Sequence, residues 1–183
     1  MAAELSKRLT ELFRWIDPGP DSTHLVSDIS GWWRDPDTLL EIGPTLGNLF
    51  RAESPTVVLA PEVTGLLLGP LVATALGVGF LPAYKNTGDR RIAEPTTWAT
   101  TPPDYRGRQL ALGVRDRHLG PADRVLVVDD WVASGAQVRA LYQVISARGA
   151  TPVGTAAIVA DCPVELAREL RVRSLLDRRD LAI

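Results

Sequence analysis

The chain has 183 residues, 45% of them hydrophobic and 23% charged, with a formal net charge of −2. These values describe one ordinary soluble domain with a sizeable core, and they exclude a general attraction to nucleic acid or to an anionic membrane surface. The single cysteine, Cys162, excludes an internal disulfide framework and points to the cytoplasm, and no Cys/His cluster accompanies it that could bind zinc.

The amino terminus carries no apolar signal-peptide core. Leu5, Leu9, Leu12, Phe13 and Ile16 form one apolar face and predict a first helix that runs to the breaker Pro18-Gly19-Pro20. Residues 24–28 read as a short strand. Asp35-Pro36 is a cap followed by a first-turn proline, opening a helix with Leu39, Ile42, Leu46 and Leu49 inward. Gly43-Pro44 is expected to kink or split that helix. Residues 56–60 then read as a buried strand, 65–76 as a helix and 79–84 as a second strand. The apolar density of 57–81 raises a membrane question, which Pro61, Glu62, Pro70 and the interspersed glycines answer against.

Residues 86–123 read as a long connection with Pro95, Pro102, Pro103 and a local excess of Arg and Lys. That stretch is either a solvated excursion or a basic lid over a polyphosphate, since Arg binds phosphate oxygens through paired charge-assisted hydrogen bonds. A strand over 125–129 follows, then a helix over about 135–148 closed by Gly149, where left-handed geometry is favoured. Residues 153–159 form the next strand, 163–170 the last helix and 172–176 a possible edge strand. Such alternation predicts an α/β fold, a mainly parallel sheet with helices on both faces. The expected layout is a single domain with a small amino-terminal hood (about 1–54), a core (about 55–183) and a flexible loop (about 86–123).

The most informative stretch is 124–138. Four apolar residues run into Asp129 and Asp130, a turn of small residues follows, and Val138, Leu141, Tyr142 and Ile145 begin a helical period. In an open α/β sheet, ligands bind beyond the carboxyl end of such a strand. The turn Ala133, Ser134, Gly135, Ala136 has little side-chain bulk, so its amides can wrap an anion at the helix start. Two adjacent carboxylates can accept hydrogen bonds from a sugar diol beside it. A phosphate cradle next to a diol clamp describes a site for a 5-phosphorylated ribose. An apolar strand ending in two aspartates also opens response-regulator receivers, but those need a lysine beyond the acids, and Lys7 and Lys85 both lie upstream.

This stretch resembles the phosphoribosyl diphosphate signature of type I phosphoribosyltransferases, and the layout of nearly the whole chain is similar to the adenine phosphoribosyltransferase group. The resemblance implies a Mg2+-dependent transfer of ribose 5-phosphate from phosphoribosyl diphosphate to a nitrogenous, purine-like base, with release of pyrophosphate. It implies Mg2+ held mainly through phosphoribosyl diphosphate, and a homodimer. Carried over by motif, Asp129 and Asp130 orient the ribose hydroxyls, and Ala133, Ser134, Gly135, Ala136 and Gln137 hold the 5′-phosphate. Glu62, Val63, Thr64, Gly65 and Lys85 meet the pyrophosphate, Tyr105 and Arg106 belong to a loop that closes over the reaction, and Val26 and Asp28 lie at the base. The chain departs from the group at several points. Trp131 replaces an aliphatic and Gln137 a hydroxyl residue, Val63-Thr64 stands where Ser-Arg is usual, and Val26-Ser27 where Phe-Arg is usual. Trp32 or Trp33 could supply the missing aromatic platform, or serve as hood core or dimer contact. The weakened hood leaves a second reading open, a non-catalytic sensor of phosphoribosyl diphosphate or a nucleotide.

Overall fold

The computed structural model describes residues 2–20, 22, 24–86, 94–102 and 109–181. Helix α1 (Ala2–Leu12) buries Leu5 and Leu9. The chain then turns into a two-stranded antiparallel ribbon, β1 (Arg14–Ile16) with β2 (Val26–Asp28). The first helix is therefore shorter than its apolar period suggests. Ile16 lies on β1 and is 47% exposed, because pairing with Val26 claims the backbone that helix would otherwise use. Helices α2 (Ser30–Arg34) and α3 (Pro36–Asn48) follow, and Asp35 caps α3 by accepting from the Thr38 amide at 2.7 Å.

Helix α3 is neither split nor ended at Gly43-Pro44. Pro44 leaves the carbonyl of Leu40 without its usual donor, and Leu40 is 73% exposed, so water can meet that carbonyl. Gly43 serves close packing instead. A Cβ there would sit 2.5 Å from the Leu71 carbonyl oxygen, so α3 approaches the next helix backbone to backbone.

The core alternates β3 (Val57–Pro61), α4 (Gly65–Leu76), β4 (Gly79–Lys85), β5 (Thr96–Thr100), β6 (Ala111–Arg115), β7 (Arg124–Val132), α5 (Ala136–Ala147), β8 (Thr151–Ala160), α6 (Val164–Glu169) and β9 (Val172–Asp177). Seven strands form one sheet in the order β5-β6-β4-β3-β7-β8-β9. The five strands from β4 to β9 in that order run parallel, and β5 and β6 add an antiparallel margin. The connection expected over 86–123 thus carries two strands. Their pairing is set across the sheet, where Trp98 covers Gly113 so closely that a Cβ would lie 2.4 Å from the ring.

Two apolar layers flank the sheet. Leu126, Val128, Val58 and Ala60 face α1 to α4, whereas Val125, Val127, Leu59 and Ala83 face α5. Trp32 is fully buried with its Nε1 donating to the Leu9 carbonyl at 2.8 Å, so it belongs to the amino-terminal core and offers no platform to a ligand. Trp33 is half-buried and packs on the same layer. Among the described residues, no helix is long and apolar enough to cross a membrane.

Candidate active site

The parallel order places three carboxyl ends side by side: β4, β3 and β7 are neighbours and all point the same way. Lys85 therefore ends one strand, the 62–65 loop leaves the next, and Asp129 and Asp130 close the third. Glu62 ties two of these ends together. Its amide donates to the Ala83 carbonyl at 3.0 Å, and its Oε2 accepts from the Lys85 amide at 2.8 Å. The Glu62–Val63 peptide is cis, and Val63 is 73% exposed at the tip of the loop. Gly65 begins α4 against Ala60, where a Cβ would lie 2.9 Å from the Ala60 Cβ.

The two aspartates are not equivalent. Asp129 follows Val125 and Val127, which face α5, in the strand alternation. Asp129 is only 5% exposed, while Asp130 is half-buried. The Asp130 amide donates to Asp129 Oδ1 at 3.0 Å. Burial pushes the Asp129 carboxyl well above the usual carboxylate range, and the neighbouring Asp130 carboxylate pushes it further, against a smaller opposite pull from Lys85. The pair is therefore asymmetric, one buried acid behind one more open to solvent.

Beyond β7 the chain bends through residues 133–135 into α5. Gly135 takes φ +67 at the N-cap, and a Cβ there would lie 2.7 Å from Leu170 Cδ1. Only glycine meets both demands without cost. No side chain caps α5 except loosely, the Ala136 amide lying 3.4 Å from Ser134 Oγ. The first-turn amides of a helix have no intrahelical acceptor, and the helix dipole adds partial positive charge there. A cavity of about 120 Å³ sits at this point, lined by Asp129, Trp131 and residues 132–138. Gln137 Oε1 is buried with no hydrogen-bond partner. Roomier hollows of about 210, 540 and 390 Å³ lie beside β4 and β6, beside α6 and β9, and next to Glu94 and Arg148, and none is lined by Asp129, Asp130 or the turn.

Residues 35–174 match the family model for a phosphoribosyl transferase domain. The chain belongs to that family. It is 31% identical to an adenine phosphoribosyltransferase of Nitrosococcus oceani, over 84% of this chain and 86% of that one. It is also 31% identical to a xanthine phosphoribosyltransferase of Brevibacillus brevis, over 68% of this chain and 63% of the relative. The structure superposes on the adenine phosphoribosyltransferase of Leishmania tarentolae with a TM-score of 0.82 at 25% identity, covering 97% of this chain and 89% of the other.

Within this family's fold, the structure brings together Asp129, Asp130, the 133–137 turn, the 62–65 loop and Lys85. Two other expected residues, Asp28 and Val26, lie on the amino-terminal ribbon, whose Trp15 packs against Trp131. Asp28 Oδ1 accepts from the Ser30 amide at 2.9 Å, and those Ser30 contacts, followed by Arg14, hold its carboxyl below the usual range, so it is occupied in shaping the turn into α2. Val26 pairs with Ile16 and is 52% exposed, on the ribbon face opposite Trp15. Tyr105 and Arg106 lie outside the described residues.

Sequence reading treated Trp131 only as an oversized substitution. In the structure it anchors an aromatic cluster, tilted against Phe13 at 6.1 Å and edge-on to Trp15 at 6.0 Å, with Nε1 donating to Asp161 Oδ2 at 3.2 Å. Position alone, directly after the paired acids, was the available signal.

Proposed function

We propose that this chain transfers ribose 5-phosphate from phosphoribosyl diphosphate to a purine-like base, releasing pyrophosphate. The observation that carries the reading is a cavity that joins Asp129, the first of two adjacent acids near the end of β7, to the uncapped N-terminus of α5. The amides of Ser134, Gly135, Ala136 and Gln137 cradle the 5′-phosphate, with Ala133 leaving room for the sugar. Gln137 takes the part of a hydroxyl by donating from its amide nitrogen.

In the reaction the bond from the sugar's anomeric carbon to pyrophosphate breaks, and a bond from that carbon to a base nitrogen forms. Positive charge builds on the sugar between the two events. Asp130, the more open acid, accepts hydrogen bonds from the ribose hydroxyls and stabilises that charge, and the buried Asp129 lies beside it. Such a preorganised electrostatic contribution is commonly the largest single one in enzymes. Lys85 and the backbone of Glu62, Val63, Thr64 and Gly65 receive the pyrophosphate.

Among the described residues, no group of three His, Cys, Asp or Glu side chains is placed to hold a metal. A lone half-buried carboxylate beside a phosphate cradle suits Mg2+, which keeps most of its water and binds through substrate oxygens plus one or two carboxylates. Asp130 would hold it through the ribose hydroxyls, and the ion would neutralise charge on the departing pyrophosphate.

The working unit is a cytoplasmic homodimer. Its contact is supported by exposed Leu39 and Leu40 on α3 and Leu67 on α4. These helices run in register, with Gly43 against Leu71 and Gly47 against Leu76, so one turn earlier Leu39 falls level with Leu67.

Calorimetry with phosphoribosyl diphosphate and Mg2+ tests the whole reading. A saturable isotherm is expected, and flat heats at millimolar ligand from a folded sample would overturn it. The second reading, a sensor without turnover, is favoured by Val63-Thr64, which leaves the pyrophosphate loop without a cation of its own. Release of pyrophosphate in the presence of adenine or xanthine decides against it.

A further inference from the structure

The hollow beside α6 and β9 is separate from the paired acids and has a lining of its own. It holds about 540 Å³ at the edge of the sheet, within the roughly 300–1,000 Å³ that small-molecule sites occupy. Val153, Val164, Ala167 and Val172 give it aliphatic walls, and Val164 is 60% exposed. Arg168, Arg171 and Arg173 reach it from the last turn of α6, from the turn that follows and from the start of β9.

The charges around this hollow are unevenly matched. Arg173 pairs with Glu53, and its guanidinium lies 4.4 Å from the Phe50 ring centre. The Arg173 hydrogen bond holds the Glu53 carboxyl below its usual range, with a weaker pull from Arg171. Asp177, the other lining acid, is held down to about 2 by hydrogen bonds from Arg179. Arg168 and Arg171 form no side-chain hydrogen bond or ion pair among the described residues. Glu53 Oε2 is buried with no hydrogen-bond partner, an acceptor that a finished interior would have paired. Arg171 also takes φ +47, where glycine would sit at no cost, so an arginine stands there against the local preference.

Helix α6 joins the hollow to the phosphate turn. Its Leu166 and Leu170 side chains are the nearest to Gly135. Glu169 accepts from Arg139 of α5 at 2.9 and 2.7 Å, and the Leu170 carbonyl accepts from the Tyr142 hydroxyl at 2.8 Å. Any shift of this six-residue helix therefore carries Leu166 and Leu170 against the turn.

Two unpaired cations, one unpaired acceptor and aliphatic walls together suit a nucleotide. Phosphate oxygens meet the guanidinium groups, a ribose hydroxyl or base amino group meets Glu53, and the ring lies on the valines. We propose that the α6–β9 hollow is a second, non-catalytic site for a nucleoside diphosphate, and that its occupancy reaches the phosphate turn through α6. The coupling rests on the phosphoribosyl-transfer reading, whereas occupancy of the hollow does not.

The test uses the full chain, first saturated with phosphoribosyl diphosphate and Mg2+ so that the catalytic cradle is filled. ADP is then titrated by calorimetry, and one further equivalent is expected to bind. The comparison variant is Arg168→Ala with Arg171→Gly, where glycine suits φ +47 and Tm should not fall. It should bind ADP about tenfold more weakly, the scale of a lost charge-assisted hydrogen bond, with kcat and KM unchanged when ADP is absent. Inorganic pyrophosphate, which lacks the nucleoside, should bind more weakly than ADP. With adenine as acceptor, ADP should shift KM for phosphoribosyl diphosphate several-fold more in the wild type than in the variant. No heat from ADP, equal ADP affinity in the variant, or pyrophosphate binding as tightly as ADP overturns the site. An equal KM shift in both proteins overturns the coupling. A wild type that gives no heat with phosphoribosyl diphosphate fails at the catalytic reading, and ADP titrated against wild type and variant then decides the hollow alone.

Discussion

Gly135 is the position where the cradle can be perturbed with a magnitude worked out in advance. It sits at φ +67, and an added Cβ would lie 2.7 Å from Leu170 Cδ1 and 3.2 Å from Leu166 Cδ2. Gly77 provides the matched control. It has φ +72 at the end of α4, but nothing lies within 4 Å of its built Cβ. Gly77→Ala therefore isolates the left-handed backbone cost, about 1–2 kcal/mol. Gly135→Ala adds overpacking against Leu170 and Leu166, roughly 1–3 kcal/mol more. The expected totals are about 1–2 kcal/mol for the control and about 2–5 kcal/mol for the cradle variant. Urea denaturation at constant slope reads both values. Calorimetry with phosphoribosyl diphosphate should show weakened binding for Gly135→Ala alone, because the clash displaces the first turn of α5. Equal stability losses in the two variants would refute the packing argument. Unchanged ligand affinity in Gly135→Ala would refute the claim that this glycine shapes the cradle.

The remaining predictions concern charge and assembly. Asp130→Asn should keep the fold and cut catalysis by at least ~100-fold, the scale of one preorganised electrostatic group; an active variant would make the acid structural. Asp129 has its folded pKa raised above the unfolded value, so its stabilising contribution is present in acid and is lost as pH rises through the folded value. Asp129→Asn should accordingly raise the melting temperature at neutral pH, by about 2–4 °C for each kcal/mol relieved, and the gain should shrink toward pH 4. A variant that melts lower at neutral pH than at acid pH, relative to wild type, contradicts the assignment. Leu67→Glu should shift sedimentation from dimer to monomer without loss of helical signal, and an unchanged boundary would place the dimer contact elsewhere.

Much of the core was legible because its signals are local. The apolar runs of β3 and β7, the helix over Gly65–Leu76 and the closing Gly149 at φ +72 each declare themselves within a dozen residues. What could not be read depends on partners distant in sequence. β5 and β6 are five residues each, too short for alternation to stand out, and Trp98 has meaning only once Gly113 lies beneath it. β1 looks helical until Val26 to Asp28 pair with it. In the site, the order of acids and small residues announced the ligand class, yet nothing local distinguishes Asp129 from Asp130. Their difference lies in burial, which only the packed sheet sets: Asp129 is buried and Asp130 half-buried.

That difference also explains why the site carries strain at this position. An isolated carboxyl group is expensive to bury, and Asp129 is 5% exposed, with the Asp130 amide donating to it. A Val or Leu at 129 would suit the layer formed by Val125, Val127 and Leu141 far better. Local rules of core composition are broken where binding or chemistry demands it. The orphaned Gln137 Oε1 lies along the same cavity, as does the open N-terminus of α5. Three departures from a satisfied interior thus converge on about 120 Å³ of space. A ligand bearing hydroxyls and a phosphate, as the proposed function requires, would relieve all three at once: hydroxyls would meet the acids, phosphate oxygens the amides, and the Gln137 amide would turn its donor inward. The apolar wall of the core could not have supplied any of those partners, which is why the instability is kept at the end of β7 and nowhere along its length.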